Sequence, residues 1–159
     1  MNFFKELFSN YWLTSVICGW FVAQIIKVFT GVFRQREFSI RAMLFGSGGM
    51  PSSHTAAVAA LATSSAITGG AGSWQFAISA LLCIIVMTDA TGVRRETGKH
   101  SKVLNRMLGQ EEQGESGQPE KPIDLFRELI GHSPLQVFFG FLTGVAVAVL
   151  LSFIPAFGL

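Results

Sequence analysis

The sequence predicts an all-α integral membrane protein, a helical bundle with about four transmembrane helices. Half of the 159 residues are hydrophobic, and 15 of them are Phe. Only 14% are charged, whereas soluble domains carry about a quarter. The apolar residues fall in four runs of about the twenty residues that a helix needs to cross a bilayer. The length allows one compact domain, so we expect residues 1–159 to form a single membrane-embedded unit.

The four runs differ in how apolar they are. The predicted spans cover residues 11–33, 52–70, 73–92 and 134–157. Gln24 and Lys27 interrupt the first span, the second is rich in Ala, Ser and Thr, and Asp89 lies near the end of the third. The last span is the cleanest. Glycines at 69–72 predict a tight turn between the middle two spans.

The positive charge predicts the topology. The sequence has 12 Lys and Arg residues, and all except Lys5 and Lys27 lie in two segments, residues 34–48 and 93–133. Four spans place those two segments on one side, and the positive-inside rule makes that side the cytoplasm, with both termini outside. We therefore expect a multi-pass protein of the cell (inner or plasma) membrane. Because the N-terminus lacks a basic region and a cleavage site, we expect it to stay on the mature protein.

The polar segments also predict smaller features. Residues 107–122, rich in Gly, Glu and Gln, are expected to form a flexible cytoplasmic excursion. Residues 3–8 have the pattern of a short amphipathic helix on the membrane surface. Residues 122–131 fit a short amphipathic helix that stops at Gly131. A net charge of +2 without a basic tract gives no reason to expect a nucleic-acid partner. Cys18 and Cys83 lie in apolar runs and are expected to be free thiols.

Lys27 is the first candidate functional residue. A Lys deep in a span costs roughly 2.5–3.5 kcal/mol on insertion scales. One interpretation is that its side chain reaches the membrane interface. The other is that it faces an anion together with Arg34, which lies seven residues later on the same helical face.

Residues 49–57, GGMPSSHTA, form a polar segment before an alanine-rich run. Pro51 fits a helix start, and Ser52 or Ser53 can cap it. The N-terminus of a helix attracts phosphate through its N–H groups and its dipole. His54 would lie in the first turn, where it could donate a proton to a leaving oxygen. An ordinary capped helix with an interfacial histidine remains the alternative.

Residues 89–105, DATGVRRETGKHSKVLN, form a second polar cluster with a histidine. Arg94 and Arg95 supply positive charge, and His100 lies six residues after Arg94. A basic loop after a helix is usually only a topology signal. Here both polar clusters lie on one side of the membrane, and each contains cations or a helix start beside a histidine.

The order and spacing of these residues resembles the signature of the type 2 phosphatidic acid phosphatase superfamily, which includes the vanadium haloperoxidases. The matching elements are Lys27 and Arg34, the PSSH of residues 51–54, and Arg94 with His100. The stretches GGMPSSHTA, DATGVRRETGKH and ELIGHSP are similar to the divergent bacterial and plastid branch of that superfamily. This similarity covers nearly the whole chain.

The resemblance implies a metal-independent mechanism without a cofactor. His54 would protonate the leaving alcohol, and His100 would attack phosphorus to give a phospho-histidine that water hydrolyses. The cations would neutralise charge on the phosphate oxygens. The predicted substrate-binding residues are Lys27, Arg34, Ser52, Ser53, Arg94 and Arg95.

The chain departs from the superfamily signature at several positions. Gln35 replaces a Pro, Ser53 a Gly, and Val93 a Ser, while Leu104 stands where an Asp orients the nucleophilic histidine. Without that Asp, His100 lacks a fixed tautomer.

Asp89 or Glu96 is the candidate replacement for the orienting Asp. In the divergent branch the position of His100 is often Gln. His132, in the GHSP of residues 131–134, is therefore a rival nucleophile or proton carrier; the alternative is a histidine that only lies at the interface.

Two functions remain from different classes. The first is a lipid phosphate phosphatase that acts on a phosphomonoester or diphosphate, with phosphatidylglycerol phosphate ranked before phosphatidate and undecaprenyl diphosphate. The second is a non-catalytic lipid-phosphate binder or translocator; haloperoxidases are soluble and much larger. The expected partners are the bilayer and the lipid substrate. Because the superfamily core usually has six helices, a homodimer or a re-entrant segment at residues 38–48 could complete the site.

Overall fold

The computed structural model describes residues 6–7, 9–35, 50–111 and 132–157, with the backbone alone at 31–35, 108–111 and 156. The regular structure within these ranges is helical, which confirms the predicted all-α class. The long helices are α1 (Tyr11–Gln35), α2 (Ser53–Gly69), α3 (Trp74–Thr91), α4 (Val93–Glu111) and α5 (Pro134–Ser152). A 3₁₀ turn, Pro155–Phe157, follows α5.

Three helical stretches are long and apolar enough to cross a membrane, at Tyr11–Thr30, Trp74–Met107 and Pro134–Ser152. They carry exposed large side chains, for example Phe21 (55%) and Leu150 (67%). Apolar surface of this kind is stable against lipid and costly in water. The membrane bundle and three of the four predicted spans are therefore confirmed.

Helix α2 is the centre of the bundle and contacts α1, α3 and α5. Its 17 residues span about 25 Å at 1.5 Å per residue, less than the roughly 30 Å of a hydrocarbon core. Ala56, Ala59 and Ala60 are fully buried. The predicted span at 52–70 is thus a helix surrounded by other helices. Its small and hydroxyl-bearing residues suit helix contact, not lipid contact.

Three glycines allow the neighbouring helices to approach α2 closely. A Cβ at Gly19 of α1 would lie 3.0 Å from the Cβ of Ala60. A Cβ at Gly140 of α5 would lie 2.5 Å from the carbonyl oxygen of Ser52, and one at Gly144 would collide with the carbonyl oxygen of Ala56. The hydrophobic effect does not drive helices together within a membrane, so helices there pack through close contacts at small residues such as these.

Hydrogen bonds between the helix ends establish the direction of each helix. At one end they join Thr30 Oγ1 to Met50 O (2.7 Å), Ser52 N to Gln136 O (3.0 Å) and His132 N to Ala90 O (3.0 Å). At the opposite end they join Tyr11 Oη to Ala148 O and Trp12 Nε1 to Thr68 Oγ1, both at 2.7 Å. Helix α2 is therefore antiparallel to α1 and α3 and parallel to α5. We call the end that contains Thr30, Ser52, Ala90 and His132 the site end.

The predicted glycine turn joins α2 to α3 at the end opposite the site end. Gly70 has a φ of 76°, a left-handed conformation that favours glycine. Ser73 then caps α3, because its Oγ accepts a hydrogen bond from the N–H of Phe76 at 3.2 Å. A short turn of this type forces the two helices to run antiparallel.

Several sequence predictions fall outside the described residues. These are the re-entrant segment at 38–48, the amphipathic helix at 122–131 and most of the excursion at 107–122. Helix α4 continues to Glu111, so residues 107–111 of that excursion are helical. Of the interfacial segment at 3–8, residues 6–7 are described, and they are helical.

Candidate functional site

The N-terminus of α2 forms the centre of the site end. Ser52 is its N-cap, with an extended backbone, and Ser52 Oγ accepts from the backbone N–H of Thr55 (3.4 Å) and from Thr55 Oγ1 (2.9 Å). Ser52 and Thr55 have no exposed surface, and Ser53 is 4% exposed. The cap therefore holds the first turn of α2 rigidly, with the exposed His54 as its second residue.

The N-terminus of α5 lies beside that of α2. Ser133 and Gln136 form a capping box, and Pro134 begins the helix. The hydrogen bond from Ser52 N to Gln136 O joins the two helix starts. Because α2 and α5 are parallel, the positive ends of two helix dipoles lie side by side, an arrangement that favours an anion.

Lys27 adds a positive charge from α1. Its side chain is only 8% exposed, and Gln24, one turn earlier, is 3% exposed. The charge of Lys27 acts on both His54 and His132. The helix register puts Arg34 on the same face as Lys27, although the side chain of Arg34 lies outside the described part of the chain.

Arg94 adds a second positive charge from the start of α4. Its guanidinium forms an ion pair with the carboxylate of Asp89, at the end of α3. Its side chain is still 57% exposed, and its charge acts on His54 and His132. Lys27, His54, Arg94 and His132 therefore form one electrostatic cluster at the site end. We call these four residues the site cluster.

The hydrogen bonds around His132 determine its tautomer. Gln136 Oε1 accepts from the backbone N–H of Ser133 at 2.8 Å, which fixes the orientation of the amide. The same oxygen lies 3.3 Å from His132 Nδ1. A carbonyl oxygen can only accept, so Nδ1 carries the proton. The lone pair of the neutral ring is therefore on Nε2.

The surroundings of His132 lower its pKa below the ordinary value of 6.5. Burial is the largest cause; the hydrogen bond to Gln136 opposes it, and the charges of Lys27, His54 and Arg94 add to the lowering. At neutral pH the ring is therefore uncharged, and Nε2 has the lone pair that a nucleophile or a base requires.

The register of α4 puts His100 and Arg95 on other faces of the helix than Arg94. Helix α4 is continuous from Val93 to Glu111, so a separation of six residues puts His100 about 120° around the helix from Arg94. His100 is close enough to Glu96, on the same helix, for their charges to interact. The structure thus brings Ser52, Ser53, His54, Lys27, Arg94 and His132 together. Asp89, a proposed orienting carboxylate, contacts Arg94.

Sequence reasoning missed two residues that support the site. Gln136 fixes the ring of His132, and Thr55 fixes Ser52. The capping role of Gln136 could be predicted from the sequence, because a Ser followed three residues later by Gln is the pattern of a capping box. Its contact with His132, one residue before the cap, could not be predicted, because that contact depends on the path of the chain into α5.

Comparison with known proteins matches the chain to one family. The model of the divergent PAP2 family matches residues 8–147. The chain is 38% identical over 156 residues to YuiD, an uncharacterized membrane protein of Bacillus subtilis (strain 168), covering 93% of this chain and 98% of YuiD. No solved structure matches.

Proposed function

The chain belongs to the divergent PAP2 family, and on this premise we propose that it is an integral membrane phosphatase that hydrolyses a phosphomonoester or diphosphate of a membrane lipid. The observation that supports this most strongly is the position of the site cluster at two parallel helix N-termini. Two cations and two histidines there are close enough for their charges to interact, beside the joined N-terminal ends of α2 and α5.

The proposed substrate contacts follow from the charges at the site end. Lys27 and Arg94 neutralise the phosphate oxygens, and backbone N–H groups in the first turn of α2 donate hydrogen bonds to them. Lys27 is held in a buried position, so little side-chain freedom is lost when the anion binds. Stabilisation of charge by groups already in place lowers the barrier to phosphoryl transfer.

His132 is the proposed nucleophile. Its Nε2 lone pair forms a bond to phosphorus, and the bond from phosphorus to the lipid oxygen breaks. Burial and the charges of Arg94 and Lys27 lower the pKa of His54, and the negative charge of a bound phosphate opposes that shift. His54, protonated when the phosphate binds, donates a proton to that leaving oxygen. Water then attacks the phospho-histidine, with neutral His54 as the base, which releases phosphate and restores both rings.

Two observations favour His132 over His100 in that role. The ring of His132 has a defined tautomer with Nε2 available, whereas His100 is turned about 120° from Arg94. Gln136 takes the position of an orienting group that Leu104 cannot supply. An amide oxygen stabilises an imidazolium less than a carboxylate does, so we expect slower chemistry than with an Asp in this position.

The proposed substrate lipid approaches from the bilayer. Lipid-facing helices surround the site, so acyl or prenyl tails can stay in the membrane while the head group reaches the site cluster. The positive-inside rule favours the cytoplasmic side of the inner or plasma membrane. Phosphatidylglycerol phosphate, a terminal monoester, is the first choice, before phosphatidate and undecaprenyl diphosphate.

A non-catalytic lipid-phosphate binder or translocator is the second candidate. It is favoured by Val93 and Leu104, which replace a Ser and an Asp of the superfamily signature. Such a protein would retain the anion site and release no phosphate.

Phosphate release by the purified protein separates the two candidates. The assay presents phosphatidylglycerol phosphate, phosphatidate and undecaprenyl diphosphate in mixed micelles to the wild type, His54→Ala and, as a matched control, His100→Ala. We expect release by the wild type, a loss of roughly 10²- to 10⁴-fold in His54→Ala, and activity close to wild type in His100→Ala. Binding of these lipids without release by the wild type would establish the binder.

A further inference from the structure

Successive residues of a helix are rotated by 100° about its axis. On this spacing the residues of α4 form three faces, each covering an arc of about 60°. The first faces the protein: Arg94 pairs with Asp89 of α3, and Gly98 and Ser101 are buried. The remaining two faces are exposed and differ in chemistry. Residues 93–111 therefore form an amphipathic helix that begins directly after Gly92, where the apolar helix α3 has ended at Thr91.

The second face is apolar. Val93 is 69% exposed, Leu104 45% and Met107 57%. His100 lies within the same arc. Exposed apolar side chains in a row next to a membrane span have their lowest free energy at the boundary between head groups and acyl chains.

The third face is basic and lies about 100° from the first face and about 140° from the second. Its members are all exposed cations: Arg95, Lys99, Lys102 and Arg106. Lys99 contacts Glu96, but both side chains are more than half exposed, and such pairs contribute little. With five cations against two carboxylates, the helix carries a net positive charge.

We propose that α4 lies on the membrane surface beside the bundle and that its basic face binds the head groups of anionic phospholipids. This is a second lipid site, separate from the site cluster and independent of the proposed phosphatase reaction. Charge complementarity selects anionic lipid as the partner. Continuity with α3 and the adjacent apolar face place the four cations at the depth of the head groups.

A fluorescent label on the apolar face tests the proposal. In full-length protein with Cys18→Ala and Cys83→Ala, Leu104→Cys carries an environment-sensitive dye. The protein is placed in nanodiscs of phosphatidylcholine with or without phosphatidylglycerol, and a lipid-borne nitroxide quenches the dye. The test variant is Lys99→Gln/Lys102→Gln/Arg106→Gln. The matched control, Lys99→Arg/Lys102→Arg/Arg106→Lys, keeps the charge.

We expect stronger quenching with phosphatidylglycerol than without it. Each neutralised cation should reduce the preference of α4 for the anionic surface by up to about fivefold, and the matched control should behave like the wild type. Salt at about 1 M, where the Debye length is about 3 Å, should remove the preference. Equal quenching in both kinds of nanodisc would overturn the proposal. A salt-sensitive signal that is independent of phosphatidylglycerol would also overturn it, because the basic face would then contact protein carboxylates.

Discussion

His132 and Gln136 are the residue pair on which the proposed chemistry depends most. A histidine is an effective nucleophile only when it is neutral and has its lone pair on the nitrogen that faces phosphorus. Burial and the nearby cations favour the neutral ring, and the hydrogen bond from Nδ1 to Gln136 leaves the lone pair on Nε2. In the proposed reaction this pair would take the role that a histidine and an Asp have in the superfamily signature.

Replacement of Gln136 tests the positioning role. In Gln136→Met the hydrogen bond to His132 and half of the capping box are lost, so we expect turnover to fall by about tenfold or more. The loss of a cap contact should cost only about 1 kcal/mol of stability. Gln136→Glu keeps both hydrogen bonds and should retain turnover above that of Gln136→Met. Equal turnover in the two variants would remove the positioning role.

The titration of His132 gives a second prediction. Burial and nearby positive charge lower its pKa, so the ring should stay neutral as the pH falls through 6.5 and become protonated only below it. Because the Gln136 hydrogen bond raises that pKa, Gln136→Met should lower it further, whereas the carboxylate in Gln136→Glu should raise it. Nuclear magnetic resonance of ¹⁵N-labelled histidine, assigned with His132→Ala, measures all three values. A pKa above 6.5 in the wild type would contradict the described surroundings.

Much of the site could be predicted from the sequence, since Lys27, Ser52, His54, Arg94 and His132 were all candidates. The direction of His100 relative to Arg94 could not. It depends on whether the chain after Arg94 bends or continues as a helix, and helix α4 continues. The number of residues between two members of a motif shows how their side chains are oriented relative to each other only when the backbone conformation between them is known.

At the scale of the elements, α2 explains how a short polar helix can lie inside a membrane protein. It is enclosed by α1, α3 and α5, and it contacts them through small residues. The sequence predicted the helix, but its composition alone did not reveal that the other helices separate it from lipid. The glycines of α1 and α5 allow this enclosure, because they let both helices approach α2 closely. Their contact with α2 becomes known only when the packing of the helices is known.

Gly144 gives the element-scale prediction. The side chain in Gly144→Val would collide with the backbone of α2 at Ala56, so the helices must separate. Overpacking of this kind costs typically 1–3 kcal/mol, occasionally more. We expect a clearly lower midpoint of thermal unfolding in detergent. Ala146→Val, on an exposed position of the same helix, is the matched control and should unfold close to the wild type. Equal midpoints would mean that α5 does not pack closely on α2.

At the scale of the whole molecule, the helix directions bring both long connections to the site end. Residues 36–49 follow α1 and precede α2, and residues 112–131 follow α4 and precede α5. Residues 36–49 therefore leave and rejoin the bundle at the end that holds the site cluster, and residues 112–131 rejoin it at that end. The concentration of Lys and Arg in these parts of the sequence agrees with one membrane side for the site and the connections.

Cysteine labelling tests this topology. With Cys18 and Cys83 replaced by Ala, we expect Arg41→Cys and Lys121→Cys to react with a membrane-impermeant maleimide only in inside-out vesicles. The reason is that basic residues are retained on the cytoplasmic side. A cysteine at Trp74, next to the turn at the opposite end of the bundle, is the control and should react only in right-side-out vesicles. Reaction of positions 41 and 121 from opposite sides would contradict the arrangement.

The most direct test of the central claim is to trap phosphate on the protein. The wild type, His132→Ala and His100→Ala are mixed with phosphatidylglycerol phosphate that carries a labelled terminal phosphate, and the reaction is stopped rapidly in alkali. A covalent nucleophile is essential for the intermediate, whereas other residues change only its rate of formation. We expect alkali-stable, acid-labile label on the wild type and His100→Ala, and none on His132→Ala. Label on His132→Ala that is absent from His100→Ala would rule out His132 as the nucleophile.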